Sequence, residues 1–161
     1  MRTLLILCAL SACTAEISES QAITEVSFWA GECMGMCIRD LALNADGSVE
    51  VVGSNHEGAE LLRNSGDLSQ AGVQALAVIE ADLMGVQLAE QYGCPDCDDG
   101  GGTTMTRLSA TTNGFESSDY EGGNPPSELQ AIDSFSSDVL LALLACEDHT
   151  MVDIDEGCLA Q

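Results

Sequence analysis

The sequence predicts an α+β domain, an antiparallel sheet of two hairpins with two helices packed on one face, and three observations lead there. Two turn dipeptides, Asp46-Gly47 and Asn113-Gly114, each stand between stretches where apolar and polar residues alternate, the strongest short-range signal for a hairpin. Two other stretches repeat their apolar residues every three or four positions, the spacing of one helix face. The order strands, helix, strands, helix then places both helices against one face of an antiparallel sheet.

Val26, Phe28 and Ala30 alternate along a first strand that leads into a loop from Gly31 to Cys37. Leu41 and Leu43 continue the period of two, and Val49, Val51 and Val52 form the strand returning after Asp46-Gly47. The Gly- and Asn-bearing stretch from Gly53 to Gly66 reads as a loop. Ser69 stands where its hydroxyl can cap a helix carrying Val73, Leu76, Ile79 and Leu83 at helical spacing. Cys94 to Gly102 (CPDCDDGGG) is a loop by composition, and Thr103 to Thr112 and Phe115 to Tyr120 flank Asn113-Gly114 as the second hairpin. Pro125-Pro126-Ser127 opens a second helix with Leu129, Ile132, Phe135, Val139 and Leu143 on one face. The expected domain covers residues 23–146, and residues 147–161 read as an acidic tail.

A length of 161 residues suits one domain, which buries roughly 70% of the surface of its unfolded chain. The chain holds 27 Asp and Glu against four basic residues, all Arg, for a net charge of −23. Neutralising phosphates takes Lys and Arg in number, so nucleic acid is excluded as a partner. With 45% apolar and 19% charged residues the chain departs from the composition of disordered acidic tails. The acidity has two readings, a surface for a cationic partner or a solvation adaptation to a salty habitat.

Arg2, the apolar run from Leu4 to Leu10 and the small residues after it read as an export signal, too short for a membrane span of about 20 residues. Leu10-Ser11-Ala12-Cys13 resembles the lipobox of bacterial lipoproteins. The resemblance implies that residues 1–12 are removed and that the sulfur of Cys13 receives a diacylglycerol. Removal takes away Arg2 and no acid, leaving a net charge of −24. Residues 13–22 are then the lipidated cysteine and a polar tether, which spans at most about 30 Å. Anionic headgroups repel such a domain, so the lipid on Cys13 is the expected membrane contact. The expected location is the bacterial cell envelope, on the outer membrane facing the periplasm or the cell surface.

Cys33-Met34-Gly35-Met36-Cys37, Asp46-Gly47, Asp119-Tyr120, Pro125-Pro126 and Leu129 with Ile132 together resemble a family of small exported bacterial domains of unknown function. That family carries a Cys-x-Gly-x-Cys-Pro loop followed by an Asp-Gly hairpin. The similarity runs from about Glu25 to Leu144, and Ile38 stands where the family has Pro. It implies export and fold, and assigns no activity.

Apart from Cys8 in the signal and Cys13, six cysteines remain: Cys33, Cys37, Cys94, Cys97, Cys146 and Cys158. In an oxidising compartment an even number indicates three disulfides, with 15 possible connectivities. The family resemblance favours Cys33 with Cys37. Pairing Cys146 with Cys158 would pin the tail after the last helix, leaving Cys94 with Cys97. Two rival chemistries use the same residues. Cys33, Cys37, Cys94 and Cys97 have spacings that suit tetrahedral zinc, and Cys94-Pro-Asp-Cys97 has the form of a thiol redox motif, although neighbouring Asp96, Asp98 and Asp99 disfavour the thiolate it needs. Those three acids with Gly100-Gly101-Gly102 also supply the oxygens of a weak calcium site, whose twelfth position falls on Arg107 where a bidentate Glu belongs.

His56 and His149 read as surface residues, Glu57 and Glu60 as one of many chance carboxylate pairs, and Trp29 as a core residue. No spacing couples a Ser or Cys to a base. The expectation is a non-catalytic, lipid-anchored structural or binding module without a cofactor, with a cationic envelope protein as candidate partner. The alternative is a zinc- or calcium-binding or thiol redox protein of the envelope.

Overall fold

In the computed structural model, which describes residues 23–44, 46–95, 100–109 and 114–160, four strands follow one another directly. They are β1 (Ile23–Trp29), β2 (Ile38–Leu43), β3 (Ser48–Ser54) and β4 (Glu60–Leu68). Helix α1 (Gln70–Leu83), the short β5 (Gln91–Tyr92), β6 (Gly102–Leu108), β7 (Phe115–Glu121), helix α2 (Gln130–Ala145), β8 (Val152–Ile154) and a 3-10 helix (Glu156–Ala160) complete the chain. One eight-stranded sheet has the order β5-β7-β6-β1-β2-β3-β4-β8. All neighbours are antiparallel except β5 and β7, which run parallel.

The α+β class holds, but the expected sheet of two hairpins is corrected to a single mixed sheet of eight strands. β2–β3 and β6–β7 are antiparallel pairs within it. The stretch from Gly53 to Gly66, expected as a loop, contains most of β4. Its leading residues are exposed and its register shifts beside Gly53, so no clean alternation marks it. β5 and β8 have two and three residues, too few to carry a period.

Register explains the two faces. Asn64, Val51, Leu41, Val26, Met105 and Ser118 pair in turn across six strands, and all six are buried. The neighbouring row on the opposite face is polar apart from Val52: Ser27 donates to Asp40, and Thr104 Oγ1 donates to Asp119 at 2.7 Å. Arg63 bridges Glu50 and Glu60 on that face. The helices cover the apolar face. From α2 and the residue before it, Leu129, Ile132, Phe135, Val139 and Leu143 all enter the core, whereas α1 contributes Leu76 and Leu83, with Ile79 half-buried. Val73, expected on that face, is 49% exposed. Each large side chain so buried contributes roughly 1.5–3 kcal/mol.

Local signals set the ends. Asp46 Oδ1 accepts from Ser48 N at 3.0 Å and Ser48 Oγ at 2.7 Å, and Gly47 takes φ +90°, a conformation open to glycine without strain. The Ser48 hydroxyl in particular holds the Asp46 carboxyl below the usual carboxylate range. Ser69 caps α1 by accepting from Gly72 N at 3.1 Å. Arg107, buried on β6, donates to the Leu83 carbonyl at 2.9 Å and the Val86 carbonyl at 2.6 Å, which closes the far end of α1.

The segment expected as an acidic tail is built into the domain. β8 pairs with β4, and Val152 is fully buried. A Cβ on Gly72 would overlap the Met151 carbonyl, so only glycine lets α1 pack there. Cys146 ends α2 in the left-handed region, at φ 54°, and is disulfide-bonded to Cys158 with Cα atoms 5.6 Å apart. The burial of Val152 and this bond hold the segment against its own negative charge.

Candidate functional site

Two places on the domain combine chemistry with access. The first lies at one end of the sheet, where the β1–β2 loop meets the β3–β4 turn. The register pairs Ile38 with Ser54, so the chain entering β2 runs beside the chain leaving β3. Cys37 N donates to the Ser54 carbonyl at 2.8 Å, and Ala30 N to the Cys37 carbonyl at 2.9 Å, which closes the loop at its base. Gly35 turns the loop at φ +96°, and Cys33 and Cys37 are disulfide-bonded with Cα atoms 5.7 Å apart.

Across from this loop, Asn55 Oδ1 accepts from Glu57 N at 3.0 Å and Ala59 N at 2.8 Å, an Asx turn. The turn presents His56, whose Nε2 lies 3.0 Å from the Gly31 carbonyl. A carbonyl only accepts, so Nε2 carries the proton, and Nδ1 of the neutral ring keeps the lone pair. One imidazole nitrogen and the two sulfurs lie within 4.8 Å of one another. Gly31, Glu32, Cys33, Met34 and His56 line an open depression here, the Met34 side chain is fully exposed, and Cys37 is buried beside it. Met36 is turned the other way, with its sulfur packed on Gly53 where a Cβ would overlap it.

The second place is a groove of about 900 Å³ between the segment after α1 and the β6–β7 pair. Glu90, Glu116, Asp119, Leu88 and Phe115 line it, with Phe115 67% exposed. Arg107 also lines it, but its donors go to the two carbonyls at the end of α1 and to Glu116 Oε1 at 2.5 Å. The groove therefore offers carboxylates and an aromatic face, a combination that suits a cationic segment with an apolar side chain.

Of the residues singled out from sequence, Cys33–Cys37 and Cys146–Cys158 are disulfides, and exposed Cys94 is disulfide-bonded to a partner outside the described residues. Three of the four cysteines of the zinc reading are thus in disulfides, Cys33 and Cys37 with each other and Cys94 with its own partner. Cys13, Cys97, Asp96, Asp98 and Asp99 lie outside the described residues. Two of the three glycines after those acids have a packing role. A Cβ on Gly101 would overlap the Trp29 carbonyl, and one on Gly102 would meet the Trp29 indole. Glu60 is paired with Arg63, Trp29 is half-buried, and His149 is exposed. His56 is exposed as expected, but its place beside the disulfide was not legible, because it depends on the β2–β3 register and on a turn lying inside the stretch expected as a loop.

Compared with family models, with curated proteins and with solved structures, the chain matches none.

Proposed function

We propose that this protein is a lipid-anchored, disulfide-stapled domain of the bacterial cell envelope that acts as a structural or binding module rather than as a catalyst. The observation that carries the reading is the oxidised state of every described cysteine. Disulfides at this density belong to exported proteins, since cytosolic reductants keep thiols open. The lipobox-like Leu10-Ser11-Ala12-Cys13 supplies the anchor, and the likeness to small exported domains belongs to the same reading. No helix among the described residues is long and apolar enough to cross a membrane; the attachment we propose is the lipid on Cys13. The partner we propose is a cationic envelope protein, seated in the groove of Glu90, Glu116, Asp119 and Phe115 and released as salt screens the charges. Fractionation of cells tests the anchor. The native chain should sit in membranes and incorporate labelled fatty acid, and Cys13→Ala should lose both. Membrane attachment without label in either form overturns the reading.

A further inference from the structure

We propose that Cys33, Cys37 and His56 form a redox-gated binding site for a thiophilic monovalent cation, Cu(I), closed while the disulfide is intact and opened by reduction. Three observations support it. The two sulfurs and an imidazole nitrogen already lie within 4.8 Å of one another, so modest rotation of the freed cysteine side chains brings them to bonding distance of one ion. The Gly31 carbonyl holds His56 through Nε2–H, which fixes the ring and leaves Nδ1 with the lone pair that a metal needs. Finally, the thioether of Met34 stands fully exposed on the rim of the same depression, an apolar group with no packing role and a soft donor. Two thiolates, an imidazole and a thioether suit Cu(I), whereas zinc takes no thioether and would have to recruit the carboxylate of Glu32.

The gating step is thiol–disulfide exchange with an external dithiol reductase. Its thiolate attacks the partly exposed Cys33 sulfur, the Cys33–Cys37 bond breaks, and Cys37 leaves as a thiolate that takes up a proton. The donor's second thiol then displaces Cys33. Two electrons and two protons reach this protein, and the donor departs as a disulfide. Cu(I) binding releases the two thiol protons again.

The site goes beyond the anchored-module reading and does not depend on it. The test uses the full chain, purified in detergent and reduced without oxygen, titrated with Cu(I) against a chromophoric Cu(I) chelator. The reduced protein should take one tightly held Cu(I), with thiolate-to-copper absorption, and the oxidised protein none. Cys33→Ser/Cys37→Ser should lose that equivalent while Cys94→Ser/Cys97→Ser keeps it. His56→Gln leaves the disulfide intact and should weaken binding by about tenfold or more, the scale on which even outer-shell groups act. An unchanged midpoint in His56→Gln, tight binding by the oxidised protein, preference for Zn(II), or loss of the equivalent only with Cys94 and Cys97 would each overturn the proposal. If the double cysteine variant does not fold, the His56→Gln result decides.

Discussion

Replacing Cys146 and Cys158 together with Ala removes the bond that holds β8 and the 3-10 helix to the end of α2. The two cysteines are 12 positions apart, and opening a loop of that size returns chain entropy to the unfolded state worth about 3 kcal/mol at 25 °C. The folded contacts need not change. Val152 stays fully buried, Asn64 Nδ2 still donates to the Leu143 carbonyl at 2.7 Å, and Ser69 Oγ still reaches the Thr150 carbonyl at 2.5 Å. Urea unfolding followed by circular dichroism should therefore show a lower midpoint, with a slope somewhat steeper because the unlinked unfolded chain exposes more surface. The melting temperature should fall by about 6–12 °C. The same double change at Cys33 and Cys37, only four positions apart, should cost about 2 kcal/mol. A loss below about 0.5 kcal/mol for the Cys146–Cys158 pair, or a larger loss at Cys33–Cys37, would refute the reasoning that loop length sets the contribution of each staple.

Burial, the charge of Asp133 and a 2.9 Å hydrogen bond to it push the Tyr120 phenol far above its usual value of about 10. The folded pKa is raised, so this stability is complete below about pH 10 and is lost as rising pH ionises the unfolded chain first. Tyr120→Phe should flatten that alkaline decline in stability curves, at a cost near neutrality of about 1 kcal/mol. Arg107→Met strands the Leu83 and Val86 carbonyls and leaves Glu116 without its ion pair, so it should destabilise by about 2–4 kcal/mol in urea melts, whereas the exposed Arg63→Met should change stability by less than about 1 kcal/mol. With a net charge of −23, raising NaCl from 0.1 to 1 M shortens the screening length from about 10 to about 3 Å and should raise the melting temperature; a flat response would show that self-repulsion does not limit stability.

The elements that were legible in the chain are those whose own period or turn chemistry decides them. α2 shows its full core face, from Leu129 to Leu143, and Ser69 and Asp46-Gly47 act where their side-chain chemistry places them. What escaped is decided by pairing. β4 was hidden because Asn64 and Gly66, which resemble loop residues, are buried by partners on α2 and β8. β8 follows an acidic stretch, and only contact with β4 and the cystine at Cys146 make it a strand. The Gly100–Gly102 run suggests a ligand cradle in isolation, whereas Trp29 explains two of its glycines. Likewise His56 became a candidate ligand only once the β2–β3 register brought its turn beside Cys33 and Cys37.

The central claim is best tested by the intact mass of the mature protein, taken from membranes without reduction and again after reduction and alkylation. The mature chain should begin at Cys13 and carry a diacylglycerol. Six hydrogens should be missing from Cys33, Cys37, Cys94, Cys97, Cys146 and Cys158, recovered as six alkylated thiols after reduction. A chain that retains residues 1–12, carries no lipid and has free thiols before reduction would contradict it.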